Sequence, residues 1–253
     1  MSFEVAADAY GRFMGRYSEQ LADQFVDVAD LQPGQRVLDV GCGPGALTAR
    51  LVERLGVEHV AAVDPSAPFV EAVGRRFPDL EVAAASAEDL PFPDDSFDAA
   101  MAQLVVHFMS DPVAGLREMG RVTRAGGVVA ACVWDMAGGV NPLALFWSAV
   151  RDLDPGAQDE SHLPGVSKDH LVELVEQAGL AEVATTELVV SVHYETFDDW
   201  WQPYTLGVGP AGSHVAGLDE DARAALRSRC EEKLGPGPFD IRARAWSVRG
   251  LVS

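Results

Sequence analysis

The sequence predicts an α/β chain built on a parallel sheet that helices cover on both faces, and three observations predict it. Short apolar runs alternate with stretches of helical period through the first half of the chain. One of these runs breaks into glycines and leads directly into a helix-forming stretch, and the next ends on a single carboxylate. Such alternation is the pattern of parallel strands joined by crossover helices, with a sheet buried on both sides.

Apolar positions at Leu21, Ala22, Phe25, Val28 and Ala29 give a helix over 17–30, stopped by Pro33 and Gly34. The first strand covers 36–40, a glycine loop follows, and 46–55 reads as a helix. A second strand over 60–63 closes on Asp64, after which helix 69–77, strands 80–84 and 97–102, helix 112–122 and strand 127–133 continue the alternation. Beyond Trp134 the rhythm changes. A segment bearing glycine and proline (137–142) leads to a helix over 143–153, a polar loop over 154–167 and an amphipathic helix over 168–178 ended by Gly179. The runs 183–192 and 239–252 read as a closing pair of strands, and the 195–237 stretch between them is longer than a hairpin needs. It holds the aromatic run Phe197, Trp200, Trp201 and Tyr204, a glycine-rich turn over 207–217 and a helix over 219–234, and it is expected to form a cap. The expected organisation is one domain over 1–253: a helical lid (1–34), a cofactor-binding core (35–134) and an acceptor-side cap (135–179 with 195–237).

Glycines let a backbone approach a ligand closely. An acid at the tip of the second strand of such a sheet is placed to accept hydrogen bonds from both hydroxyls of a ribose, so Asp64 points to an adenosine. Gly41, Gly43 and Ala46 also satisfy the dinucleotide pattern G-x-G-x-x-G/A. Asp39 weighs against a dinucleotide, because an ionised group on a buried strand just before the loop is costly without a partner. S-adenosylmethionine (SAM) carries an ammonium and a sulfonium, whereas the pyrophosphate of NAD would be repelled. Gly45 adds a third glycine where a methionine tail can pass. Capping the loop amides is the other role open to Asp39.

On these residues the chain resembles a class I SAM-dependent methyltransferase, of the branch that includes the ubiquinone and menaquinone methyltransferases (methyltransferase type 11). The likeness spans about 10–134: residues 37–45 resemble the glycine loop, Asp64 the ribose acid, 86–92 the adenine-side turn, 97–103 the fourth strand, and 116–134 the helix and strand after it. The resemblance implies a Rossmann-like three-layer sandwich with a seven-stranded, mostly parallel sheet, an antiparallel last strand and a helical cap. It also implies SAM as cofactor and S-adenosylhomocysteine as product.

The resemblance places Asp39, Gly41, Cys42, Gly43, Gly45 and Asp64 on the cofactor and Pro65 against one adenine face. Ser86 departs from the family, where Asp or Asn commonly binds the adenine amino group, which weakens that contact or passes it to the Ala87 amide. Glu88 is open to two roles, turn acid or ligand. Gln103 and Leu104, at the carboxyl edge of the sheet, are expected at the methionine part. Tyr10 and Arg16 are candidates to fold over the cofactor, Arg16 by gripping its carboxylate; the alternative for Arg16 is a surface position on its own helix. No catalytic residue is identified. His107 has the titration range of a general base, with a structural hydrogen bond as its other role. Trp147, Trp200, Trp201 and Tyr204 either line an apolar acceptor pocket or belong to the core.

A net charge of −20, from 19 basic and 39 acidic residues with no basic patch, repels a phosphate backbone and favours a small-molecule acceptor over nucleic acid. Cys42, Cys132 and Cys230 are odd in number and far apart, suggesting neither a disulfide framework nor a zinc site, and no cluster of metal-ligand spacing is seen, so no metal is expected. Met1 to Val5 lack a basic region followed by an apolar stretch, and the apolar run near 128–134 is too short to span a bilayer. A cytoplasmic monomer or homodimer is expected. The expected function is transfer of a methyl group from SAM to a small molecule through an oxygen, nitrogen or carbon atom. The alternative is a non-catalytic SAM- or adenosine-binding regulator. An NAD oxidoreductase is disfavoured by Asp39 and by the lack of a Tyr-x-x-x-Lys pair.

Overall fold

Seven strands make one sheet in the computed structural model, which describes residues 7–253. The stretch Met1 to Val5, and with it the front of the expected lid, lies outside the described residues. The strands are β1 (Val37–Val40), β2 (Val60–Asp64), β3 (Glu81–Ala84), β4 (Phe97–Gln103), β5 (Thr123–Trp134), β6 (Ala181–Tyr194) and β7 (Phe239–Leu251). They lie in the order β3-β2-β1-β4-β5-β7-β6, with β7 antiparallel to both its neighbours and every other pairing parallel. This is the sheet expected from the sequence, with the antiparallel strand inserted next to the edge.

Alternate residues of the central strands face opposite layers, as the two-residue period of a strand requires. Val37, Ala99, Met101, Ala130 and Cys132 join one apolar cluster, and Leu38, Val40, Ala100, Ala102, Val129 and Ala131 join the other. The first layer contains α2 (Arg16–Phe25), α3 (Ala46–Leu55), α4 (Ala67–Arg76) and α6 (Ala144–Leu153); the second contains α5 (Pro112–Val122) and α7 (Lys168–Gln177). Alanines at 99, 100, 102, 130 and 131 let the covering helices approach the sheet closely. Local chemistry sets the helix starts. The Asp111 carboxylate accepts from the Ala114 amide at 3.0 Å, with Pro112 in the first turn of α5, and the Ser167 hydroxyl accepts from the His170 amide to open α7.

The N-terminal helix differs from expectation in its bounds. It begins earlier, as a helical turn, α1 (Ala7–Tyr10), followed by a π-type segment at Gly11–Gly15, and its regular part ends at Phe25 rather than Asp30. The cap between β6 and β7 holds α8 (Phe197–Trp201), α9 (Gly209–Gly217) and α10 (Glu220–Leu234). Helix α9 stands where the sequence suggests a glycine-rich turn. Each glycine weakens a helix by about 1 kcal/mol, yet Pro210 opens the first turn and Ala211, Gly212 and Val215 are buried. Gly212 packs so tightly that a Cβ on it would lie 2.7 Å from the Gly207 carbonyl carbon. Burial therefore overrides the local preference.

Trp200, Trp201 and Tyr204, candidates for an acceptor pocket, are instead the core of this cap, all 5% exposed or less. Tyr204 stacks on Phe146 of α6 at 4.6 Å and meets Phe13 of the N-terminal segment edge-on at 5.0 Å, while Trp201 stacks on Phe197. The physical reason is area: large aromatics gain most where neighbours enclose them on every side. Trp201→Ala is expected to cost about 3–5 kcal/mol of stability, read from the midpoint of urea unfolding.

Candidate functional site

The candidate site lies at the carboxyl ends of β1, β2 and β4. There β1 connects outward through β2 and β4 lies on its other side, which is the crevice where ligands bind in open α/β sheets. The loop after β1 is held by the end of β2. The Gly41 and Cys42 amides both donate to the Val63 carbonyl, at 2.8 and 3.0 Å, and the Gly43 amide donates to Asp64 Oδ2 at 2.8 Å. Asp64 Oδ1 in turn accepts from the Ser66 amide at 2.8 Å. Gly41 takes φ +71°, and a side chain on it would run into Val105, just past β4. A Cβ on Gly43 would stand in open space, so the loop presents bare backbone to a cradle there.

Asp39 lies beneath that loop, 1% exposed. Its Oδ2 accepts from the Thr48 hydroxyl of α3 at 2.6 Å, while its Oδ1 is buried without a partner. Burial pushes its pKa up to about 7, against the Thr48 hydrogen bond and with the help of the Asp64 charge. Burial likewise raises the pKa of Asp64, opposed by the Ser66 and Gly43 amides. The chemistry fits a cationic ligand group. Three loop amides are already engaged, which leaves little to receive a pyrophosphate, and an unpaired carboxylate oxygen awaits a donor.

Tyr10 joins this group. Its ring packs edge-on against Phe69 at 5.6 Å, and its hydroxyl, pushed up to about 12 by burial, feels the Asp64 charge. Arg16 does not join it. It stacks over the Tyr194 ring at 5.2 Å and lines an outer groove with Asp23, Arg50, His193 and Asp199, drawn there by acidic and aromatic neighbours. Glu88 takes the turn role, its Oε1 accepting from the Ser110 and Asp111 amides at 2.7 and 3.2 Å just before α5. Pro65 follows Asp64 on the same edge, and the Ser86 carbonyl accepts from the Asp89 amide at 3.3 Å, with Ala87 buried beside it.

Past β4, Gln103 Nε2 donates to the Ser18 carbonyl at 2.9 Å, with Oε1 buried and unpaired. Leu104 adopts φ +63°, a left-handed conformation that costs a residue with a side chain roughly 1–2 kcal/mol. That turn sends the chain into an apolar cavity of ≈ 50 Å³ lined by Tyr10, Phe13, Leu104, His107, Trp134 and Glu160, among others. His107 is buried, and burial lowers its pKa to about 4. It is therefore neutral at pH 7 and a weak base, and its Nδ1 makes none of the structural hydrogen bonds expected of it. Trp147 lines a neighbouring crevice. Trp200, Trp201 and Tyr204 line neither space. The cavity wall comes instead from Met136, Leu143, Val208, Gly209 and Pro210, together with Glu160, none of them singled out by the sequence. Only Asp159, an N-cap residue followed by Glu160, hinted that the polar loop contains ordered structure.

Comparison with known proteins decides what kind of domain this is. Residues 38–131 match the model of a methyltransferase domain. Those residues form a methyltransferase domain. Over 136 residues the chain is 36% identical to 2-methyl-6-phytyl-1,4-hydroquinone methyltransferase 2 of Oryza sativa, covering 53% of this chain and 37% of that one. It is 44% identical over 102 residues to the demethylmenaquinone methyltransferase of Beutenbergia cavernae, covering 40% of this chain and 42% of that one. The chain spans from about a third to about half the length of the curated relatives it matches. Among solved structures, the YcgJ protein of Bacillus subtilis superposes with a TM-score of 0.58 at 19% identity, over 91% of this chain and 97% of that one, which establishes the shared fold. The glycine loop, Asp64 and the end of β4 all fall within the methyltransferase domain, whereas the cavity wall beyond β5 falls outside it.

Between pH 3.8 and about 7 the Asp39 carboxyl takes up a proton on folding, because its folded pKa of about 7 lies above its ordinary 3.8. Its contribution to stability is full below pH 3.8 and is lost as the pH rises through 7. Asp39→Asn keeps an acceptor for Thr48 and cannot ionise. Without ligand, it is expected to exceed the wild type in stability by about 1–3 kcal/mol more at pH 8 than at pH 5, measured by unfolding at both pH values.

Proposed function

We propose that this chain transfers a methyl group from S-adenosylmethionine to a small, largely apolar molecule. One observation carries the reading: the open cradle at Gly43, Asp64 and the unpaired Asp39 Oδ1 stand together at the sheet edge, next to an apolar cavity that begins at Leu104. In this reading Asp64 holds the ribose through the oxygen lone pairs left over from the Gly43 and Ser66 amides. Asp39 pairs with the amino group of the methionine part, which returns the carboxyl to its ionised form. Tyr10 covers the adenosine side, and Gln103 Oε1 and the Leu104 backbone face the methionine part.

When bound, the cofactor supplies a methyl group already activated by its sulfonium, so the protein's task is alignment and exclusion of water, which alone can lower a barrier by several kcal/mol. The apolar wall of Phe13, Trp134, Leu143 and Val208 keeps the acceptor dry. The names of two relatives, a 2-methyl-6-phytyl-1,4-hydroquinone methyltransferase and a demethylmenaquinone methyltransferase, support a cyclic acceptor. The cavity beside the cofactor cradle supports an enzyme rather than a regulator that only binds the cofactor. No group of three or more metal-ligating side chains occurs among the described residues, and no described helix is long and apolar enough to cross a membrane.

Calorimetry tests the cofactor. SAM and S-adenosylhomocysteine are expected to bind and NAD is not; saturable NAD binding with none of S-adenosylhomocysteine would overturn the assignment. Asp64→Ala is expected to weaken S-adenosylhomocysteine by roughly 1.5–3 kcal/mol, tenfold to a hundredfold, because the ribose loses charge-assisted hydrogen bonds but is still desolvated. Chelation with EDTA is expected to leave methyl transfer unchanged, and an activity lost to EDTA and restored by magnesium would contradict the metal-free reading.

A further inference from the structure

Glu160 opens the short helical turn Glu160–His162 that follows α6. It is 3% exposed and lines two spaces at once. One is the inner apolar cavity shared with Leu104, His107 and Trp134; the other is an outer crevice of ≈ 250 Å³ lined by Asn141, Trp147 and Arg151. Met136 is the other residue common to both, so these two residues stand between them.

A carboxyl buried with an unpaired oxygen costs free energy that a merely structural role does not return. Oε2 of Glu160 has no partner. Nor is the carboxyl needed to shape its loop, because the Asp159 side chain does that, accepting from the Ser161 amide at 2.9 Å and pairing with Arg151. Burial and the Asp159 charge push the Glu160 carboxyl up to about 7, against its own amide, the Trp147 indole and His162. The indole lies close enough to favour the ionised form, yet its N–H closes no hydrogen bond of ordinary geometry. Tyr204, from the cap, also feels the Glu160 charge.

We propose that Glu160 selects the acceptor: its unpaired Oε2 receives a hydrogen bond from the hydroxyl or N–H of an uncharged, otherwise apolar molecule whose polar end enters the inner cavity. The inference rests on the methyltransferase reading above. Phe13, Met14, Leu104, Leu143, Val208 and Pro210 offer a donor on that molecule no side-chain acceptor; neutral His107, with Nδ1 unpaired, is a second acceptor on the wall, and Glu160 is the one carboxyl on it. A hydrocarbon of the same shape leaves the carboxyl unpaired, and an anionic one sets a second negative charge beside it.

The test titrates the full chain, with S-adenosylhomocysteine present, by ligand-observed NMR against three probes of one shape: 2-naphthol, naphthalene and 2-naphthoate. 2-Naphthol is expected to bind at least about tenfold more tightly than naphthalene, with 2-naphthoate the weakest. Glu160→Leu is expected to bring the naphthol-to-naphthalene ratio below about three, while its affinity for S-adenosylhomocysteine stays within about twofold of wild type. Glu160→Gln, which keeps a carbonyl acceptor without the charge, retains the preference for 2-naphthol and admits 2-naphthoate; it decides the matter if the leucine variant does not fold. Equal binding of 2-naphthol and naphthalene by the wild type, no binding of 2-naphthol, or an unchanged ranking in the variants would each overturn the proposal. Failure of S-adenosylhomocysteine to bind would remove the methyltransferase reading separately, and the probe ranking without it still decides the role of Glu160.

Discussion

The constraint on which the site depends is the attachment of the glycine loop to the end of β2. Three consecutive amides, those of Gly41, Cys42 and Gly43, are engaged by the Val63 carbonyl and the Asp64 carboxylate. This fixes the path of the chain between β1 and α3, and it forces Gly41 against Val105, where no side chain fits. It also sets the chemistry. A loop whose donors face outward receives phosphate; this loop has turned its donors onto the protein and offers a ligand carboxylate oxygens instead.

Those oxygens are expensive to hold. Asp39, Asp64 and Glu160 are all buried, and burial raises the pKa of all three. His107 is forced neutral by the same dry surroundings. Groups of this kind cluster where a protein has work to do, and the rest of the fold must offset their cost. Here two apolar layers on either face of the sheet, and the aromatic cluster that ties Phe13, Phe146 and Tyr204 together, provide the offset.

The framework was legible because its signals are local. The bounds of α3 and α5 are those the sequence predicts, and all seven strands lie within a few residues of their expected places, since strand alternation, Pro112 and the glycine loop all act through near neighbours. What was not legible depends on contacts far apart in the chain. Nothing near Tyr204 says that Phe13 and Phe146 pack against it, and nothing in the polar stretch around Glu160 says that Met136 and His107 meet it across a cavity. Helix α9 was hidden by its own glycines, of which Gly212 packs tightly on Gly207 only in three dimensions. Arg16 carried the right charge for the cofactor, but its position on α2 aims it at Tyr194.

The place of β7 has a consequence for how the molecule is made. Strand β6 has no partner other than β7, although β7 is the later of the two in the chain. During synthesis the parallel part, β1 to β5, can assemble while β6 emerges with both edges bare, a condition that invites pairing with other chains. The 44 residues from 195 to 238, α8 to α10 among them, must follow before β7 arrives to slide between β5 and β6. Completion of the sheet thus waits for β7, and a polypeptide that lacks residues 239–251 leaves β6 without the strand that joins it to β5.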